Sequence, residues 1–144
     1  MEAEELRIGN LLMWEDPSLE IISVTEILKR ENYYSISFTG GCAQLDEFIP
    51  IPLTEEWLNK FGFKKTTSGY WSNGKLEIGY TTTDEWFEYE YLSVSKDNIA
   101  STEMAELKYV HELQNLYFAL TGKQLVITNN QNTNTNNNSK TPTP

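Results

Sequence analysis

Short runs of alternating apolar and polar residues, each closed by a turn signal, fill the first fifty positions of the chain. Arg7 to Trp14 predicts a first strand. Glu15-Asp16-Pro17-Ser18 predicts a turn, because proline presets φ and the Asp16 and Ser18 side chains can bond nearby backbone. Leu19 to Leu28, rich in β-branched residues, reads as one second strand, and Lys29 to Asn32 turns the chain back. Tyr33 to Phe38 predicts a third strand with Tyr34, Ile36 and Phe38 on one face; Gly40-Gly41 ends it and leaves Cys42 in the turn. In Phe48-Ile49-Pro50-Ile51-Pro52 each residue before a proline is pushed out of the α region. Prolines cannot donate ladder bonds, so this segment belongs at a sheet edge or in a strap. The segments together predict an antiparallel β meander, for which an SH3-like small barrel is one closed form.

The period then changes. Thr54 is a good N-cap, Glu55 and Glu56 sit where the helix dipole favours anions, and Trp57, Leu58 and Phe61 give a short apolar stripe ended by Gly62. Phe63 to Tyr80 predicts a strand pair, with Asn73-Gly74 as the centre of a type I′ hairpin. Trp86 to Leu92 alternates between an aromatic face (Phe87, Tyr89, Tyr91) and a mostly acidic one, the pattern of a strand buried on one side. A second helix is predicted from Thr102 or Glu103 to Thr121, with Leu107, Val110, Leu113 or Gln114, Tyr117 and Leu120 recurring at helical steps. Leu116 and Leu120 are expected to be buried against the sheet. Gly122 caps the helix, and Leu125-Val126-Ile127 predicts a last edge strand. The fold class is α+β: an N-terminal antiparallel β meander, a short helix, a β hairpin plus strand, and a C-terminal helix packed on the sheet.

From Thr128 onward the composition is Asn, Thr, Ser, Gln and Pro with the single charge of Lys140. Such a segment buries too little to offset its ordering entropy, so the expected division is one domain over residues 1–127 and a disordered Asn/Thr-rich tail over residues 128–144. The chain carries 21 acidic and 11 basic residues, a formal net charge of −10. Affinity for nucleic acid is built mainly from lysine and arginine, so direct DNA or RNA binding is not expected; a basic protein partner is. Met1 to Glu5 is acidic without the apolar core of a secretory signal, and no apolar run approaches the roughly 20 residues of a membrane span, so the expectation is a cytoplasmic protein with no membrane partner.

The familiar chemical signatures are missing: there is no phosphate-binding glycine loop, paired-cysteine zinc site, His-Glu-x-x-His or nucleophile elbow. No cofactor or metal is expected. Cys42 and His111 are the only residues of their types and lie far apart in sequence, which makes a thiol–imidazole pair a weak signal. His111-Glu112 are adjacent and so are not spaced to share a helix face as metal ligands. Asp84, Glu85, Glu88 and Glu90 could do paired-carboxylate chemistry, or simply solvate the outside of a strand. The aromatic residues say more. Most should be core, but a surplus on an open face could stack on a planar ligand. The ligand-binding residues expected on that reading are Trp71, Tyr80, Trp86 and Tyr89, with Lys64, Lys65 and Lys75 for phosphate and His111 beside them.

Three segments also carry a resemblance. They are Leu6-Arg7-Ile8-Gly9-Asn10-Leu11; Ile51-Pro52-Leu53-Thr54-Glu55-Glu56-Trp57-Leu58 with Lys60-Phe61-Gly62-Phe63; and Tyr109 to Gly122 (Tyr-Val-His-Glu-Leu-Gln-Asn-Leu-Tyr-Phe-Ala-Leu-Thr-Gly). Together they resemble a family of small uncharacterised proteins of Bacteroides-type bacteria, their phages and their mobile elements. The resemblance implies a phage or mobile-element accessory protein acting inside a bacterial host and brings no catalytic residues with it. The leading expectation is a non-enzymatic binding protein that sequesters a nucleotide-derived host immune signal, as a homo-oligomer. The alternatives are an acidic protein-interaction module that inhibits a host protein or accompanies the virion, and a small carboxylate-based hydrolase.

Overall fold

The computed structural model describes residues 1–79, 87–90 and 104–128, with the backbone path alone at 87–90, 104 and 105. Its first half is the expected meander, closed on itself. β1 (Leu11–Trp14) starts later than the pattern predicts. Arg7 to Asn10 form a turn instead, in which the Asn10 amide oxygen accepts from the Arg7 N–H at 2.7 Å. Gly9 takes φ +91° there, and the Gln124 side chain packs where a Cβ would stand. The turn after β1 forms as its residues require: Asp16 Oδ1 accepts from the Ser18 N–H and hydroxyl at 2.9 and 2.7 Å.

The predicted second strand is two strands, β2 (Ile22–Ser23) and β3 (Glu26–Lys29). Val24 stays with the first sheet, its N–H donating to the Asn10 carbonyl at 2.9 Å and its own carbonyl accepting from the Gly9 N–H at 2.7 Å. The Thr25 N–H donates across to Ser37, at 2.8 Å, and hands the chain to the second sheet. β4 (Tyr34–Phe38) pairs with β3 on one side and with β5 (Gly41–Gln44) on the other. Cys42 therefore lies exposed on a strand rather than in a turn; the turn is one step earlier, with Gly40 at φ +99°. A 3-10 turn (Leu45–Glu47) leads into β6 (Phe48–Ile49), which pairs antiparallel with β1. A bent strand shared between two sheets, followed by a hairpin, a 3-10 turn and a last strand returning to the first, is the circuit of an SH3-like small barrel. Its core is Leu6, Leu12, Ile22, Val24, Ile36 and Phe48.

In the second half, the Thr54 hydroxyl accepts from the Trp57 N–H and caps α1 (Glu55–Lys60), and Gly62 leaves it at φ +83°. β7 (Lys64–Lys65), β8 (Trp71–Ser72) and β9 (Glu77–Ile78) form an antiparallel sheet. Ser72 pairs with Glu77, which centres the hairpin on Gly74-Lys75 rather than on Asn73-Gly74. Asn73 instead uses its side-chain oxygen to accept from the Lys75 and Leu76 N–H groups at 3.0 and 2.9 Å. β10 (Phe87–Glu90) pairs with β11 (Met104–Leu107), so the stretch predicted as the first turn of the last helix is a strand. The helix, α2 (Val110–Thr121), starts where Glu112 reaches back: its carboxylate accepts from the Lys108 and Tyr109 N–H groups at 2.7 and 3.0 Å. It ends at Gly122 with φ +69°, as expected.

The buried residues of α2 are Val110, His111, Leu113, Gln114 and Tyr117. Leu116 is only half-buried and Leu120 is 38% exposed, against the expectation for both: they fall on the edge of the stripe, one step round the helix from its centre. Leu125 to Ile127 is not a strand. Leu125 is buried, Val126 and Ile127 are exposed, and Thr128 is tied to α1 by bonds from its N–H and hydroxyl to the Lys60 carbonyl at 2.8 and 3.1 Å. Thr128 thus belongs to the folded body and not to the tail; residues 129–144 lie outside the described residues.

β1 is the wall between two cores. Leu12 is in the barrel core with Trp14 against it, whereas Leu11 and Met13 pack against the core around Leu58, Phe63, Ile78 and Leu113. That explains its unbroken apolar run, since a strand buried on both faces has no polar alternation to show.

Candidate functional site

Of the residues expected to bind a ligand, Lys65 and Trp71 come together among the described side chains, as register partners on β7 and β8 with the Lys65 ammonium 6.0 Å from the Trp71 ring. Trp71 is 4% exposed and belongs to the second core, so its ring face is not open to a base. Its Nε1 has no hydrogen-bond partner among the described residues. Lys64, Lys65 and Lys75 are exposed, and Lys65 approaches Glu55 at 3.7 Å. His111 is 2% exposed and stacks on Tyr109, ring centroids 5.8 Å apart. Burial pushes its pKa below the ordinary histidine value, partly offset by Glu112 and Glu5. His111 is thus a buried polar side chain packed on a tyrosine. Tyr80 and Trp86 lie outside the described residues, as do Asp84 and Glu85; of Tyr89, Glu88 and Glu90 only the backbone is described.

Open aromatic surface appears instead on the barrel. The loop between β3 and β4 is closed by the Arg30 N–H donating to the Tyr33 carbonyl at 2.8 Å, and it leaves Tyr33 45% exposed at its exit. Tyr34 opens β4, and its hydroxyl donates to Glu4 Oε1 at 2.8 Å. That bond holds the Glu4 carboxyl below its usual range and raises the Tyr34 phenol above its own. Across from the tyrosines, the Leu45–Glu47 turn is fixed by the Gln44 N–H donating to Glu47 Oε1 at 3.0 Å, and it presents Asp46. β6 supplies Phe48 as a buried floor and Ile49, 38% exposed, with Pro50 as the far wall. These residues enclose a groove of about 430 Å³.

The floor is rigid for a physical reason. Phe48 lies tilted against Trp14 at 4.4 Å and meets Phe38 edge-on at 6.1 Å, so the ring under the groove is held by two others. Beyond this cluster lies a second groove of similar volume, bordered by Trp14, Leu19, Ile21 and Phe38; Leu19 and Ile21 are 49% and 45% exposed. The first groove has the more directed chemistry: two tyrosines, the Asn32 amide and the Asp46 carboxylate converge on one apolar trough. Among the described residues that line it there is no histidine, cysteine or carboxylate pair.

Tyr33 was visible in the sequence as an aromatic residue, but Asp46, Ile49 and Pro50 gave no functional signal, because the groove exists only when β4, the 3-10 turn and β6 meet. Among the described residues no helix is long and apolar enough to cross a membrane. Comparison with protein-family models, curated proteins and solved structures finds no match for the chain.

Proposed function

We propose that the protein is a non-enzymatic protein-interaction module, with the tyrosine-lined groove of the barrel as its binding surface. The observation that carries this reading is the combination of an exposed Tyr33 and Ile49 over a rigid aromatic floor, with Asp46 on the rim. Exposed aromatic and aliphatic anchors set in a concave, polar-rimmed surface are what protein interfaces concentrate their energy in. The charge of −10 favours a basic partner and speeds its approach. The resemblance to proteins of Bacteroides-type phages and mobile elements makes a bacterial host protein the natural partner. Sequestration of a nucleotide-derived signal has less behind it, since the described part of the hairpin buries Trp71.

The test is affinity capture from a bacterial host lysate with the full chain and with a Tyr33→Ala/Ile49→Ser variant, after both are shown to melt alike. A captured protein that is lost from the variant supports the reading. Capture unchanged by the double substitution, or capture by neither protein, overturns it.

A further inference from the structure

We propose that the segment from Gln124 to Thr128 pairs with the same segment of a second copy of this chain, antiparallel about a two-fold axis at Val126, and that the resulting dimer presents two grooves.

The segment is a pinned edge without a partner. The Gln124 amide donates to the Ile8 carbonyl at 3.0 Å, Leu125 is buried in the second core, and Thr128 is tied to the Lys60 carbonyl. Between these anchors Val126 is 63% exposed. The N–H and carbonyl groups of Val126 and Ile127 have no hydrogen-bond partner among the described residues. Two β-branched residues with open backbone groups are a template for another strand. Ile8, brought alongside by the Gln124 bond, is exposed as well and widens the apolar surface.

The sequence of the segment names the occupant. Gln124-Leu125-Val126-Ile127-Thr128 runs polar, apolar, valine, apolar, polar, and so reads alike from either end. Antiparallel pairing about Val126 sets Leu125 opposite Ile127 and Gln124 opposite Thr128, apolar against apolar and polar against polar on both sides of the axis. A two-fold interface requires that self-complementarity. Val126 suits the axis because its N–H and carbonyl are both open and can be exchanged with those of the other copy as one hydrogen-bonded pair.

Charge points to the same face. Two copies of a chain with a net charge of −10 repel over most of their surface. No Asp or Glu follows Glu112 in the sequence. On the neighbouring N-terminal turn, α1 and α2, most carboxylates are engaged within their own copy. Glu4 and Glu5 accept from the Tyr34 hydroxyl and the Glu2 N–H, Glu55 and Glu56 face Lys65 and Lys60, and Glu112 caps α2. Arg7, packed on the Phe118 ring, and Lys123 add cations here. In the antiparallel register the two copies of Lys123 stand roughly 20 Å apart and do not oppose each other. No residue lining the tyrosine groove belongs to the segment or to α2, so pairing leaves both grooves open, and a partner with two sites would be held by avidity.

Light scattering on the full chain at about 100 μM should give twice the 16.6 kDa mass of one chain. Val126→Asp places two carboxylates opposite each other on the axis and should raise the dissociation constant of the dimer at least about tenfold, with the circular dichroism spectrum unchanged. Leu19→Asp, at an exposed apolar site on the barrel, should leave the dimer intact. A short bismaleimide should join two copies of a Cys42→Ser/Val126→Cys variant and fail to join two copies of Cys42→Ser/Lys123→Cys. Should Val126→Asp lose its native spectrum, the cross-link decides. A monomeric full chain, a dimer indifferent to Val126→Asp, or cross-linking as efficient at position 123 as at 126 overturns the proposal, and none of these results touches the reading of the groove.

Discussion

Replacing Gln114 with leucine should destabilise the protein by about 2–4 kcal/mol, although the change puts a more apolar side chain at a site only 6% exposed. The magnitude follows from what Gln114 holds. Its Oε1 accepts from the Leu11 N–H at 2.9 Å, and its Nε2 donates to the carbonyls of Gly9 and Leu125 at 3.0 and 3.4 Å. One side chain thus ties α2 to the start of β1 and to the segment after the helix. The neighbouring Asn10–Asn115 bond, at 3.0 Å, closes the same seam between the two halves. Each of the three bonds is worth about 1 kcal/mol net, and a buried donor or acceptor left without a partner costs about 1–3 kcal/mol. Extra apolar burial from leucine returns only part of that. Urea unfolding at pH 7 should show a lower midpoint with an unchanged slope, and the melting temperature should fall by about 10 °C. A loss below about 0.5 kcal/mol would refute the reasoning, because it would mean that the Leu11 and Gly9 backbone groups are satisfied without Gln114.

Leu113→Ala should cost about 2–5 kcal/mol, whereas Leu120→Ala should cost under about 1 kcal/mol, since the first is fully buried and the second 38% exposed; equal losses in urea unfolding would show the helix phase to be wrong. His111 has its pKa lowered chiefly by burial. Its contribution is therefore intact above the unfolded value of about 6.5 and is lost as pH falls below it, where the unfolded chain takes up a proton that the folded chain resists. Stability measured from pH 7.5 to 5 should decline, and His111→Leu should flatten that decline; an equal slope in the variant would count against a buried neutral imidazole. Removing residues 129–144 should leave the melting temperature within about 2 °C, because the segment carries no large apolar side chain to anchor it, and a clearly larger drop would show that it contributes to the fold.

Local signals read well from the chain. The Thr54 cap, Gly62, the Asp16 turn and Gly122 all follow from side-chain chemistry within a few residues, and each stands where that chemistry predicts. What misled was structure decided from a distance. Val24 and Thr25 continue the β-branched pattern of Leu19 to Leu28 without a break, and only their pairing with Asn10 on one side and Ser37 on the other divides the strand. Leu107 and Val110 fit a helical spacing, yet Leu107 lies on β11 and pairs with Phe87 of β10; the boundary is set by Glu112 capping the turn at Lys108-Tyr109. The groove was least legible. Its wall and rim come from Tyr33-Tyr34, Asp46 and Ile49-Pro50, which are ordinary residues until the barrel closes, while Trp71 and His111, which drew notice as rare residue types, are spent on the core.

Amide hydrogen exchange on the full chain, free and in complex with the protein it captures, tests the central claim most directly. The account predicts new protection confined to the β3–β4 loop and the start of β4, around Glu31 to Tyr34, and to the Leu45–Glu47 turn and β6, with the β8–β9 hairpin unchanged. Protection that appears on the hairpin around Trp71 to Ile78 and leaves the barrel groove exchanging as before would contradict it.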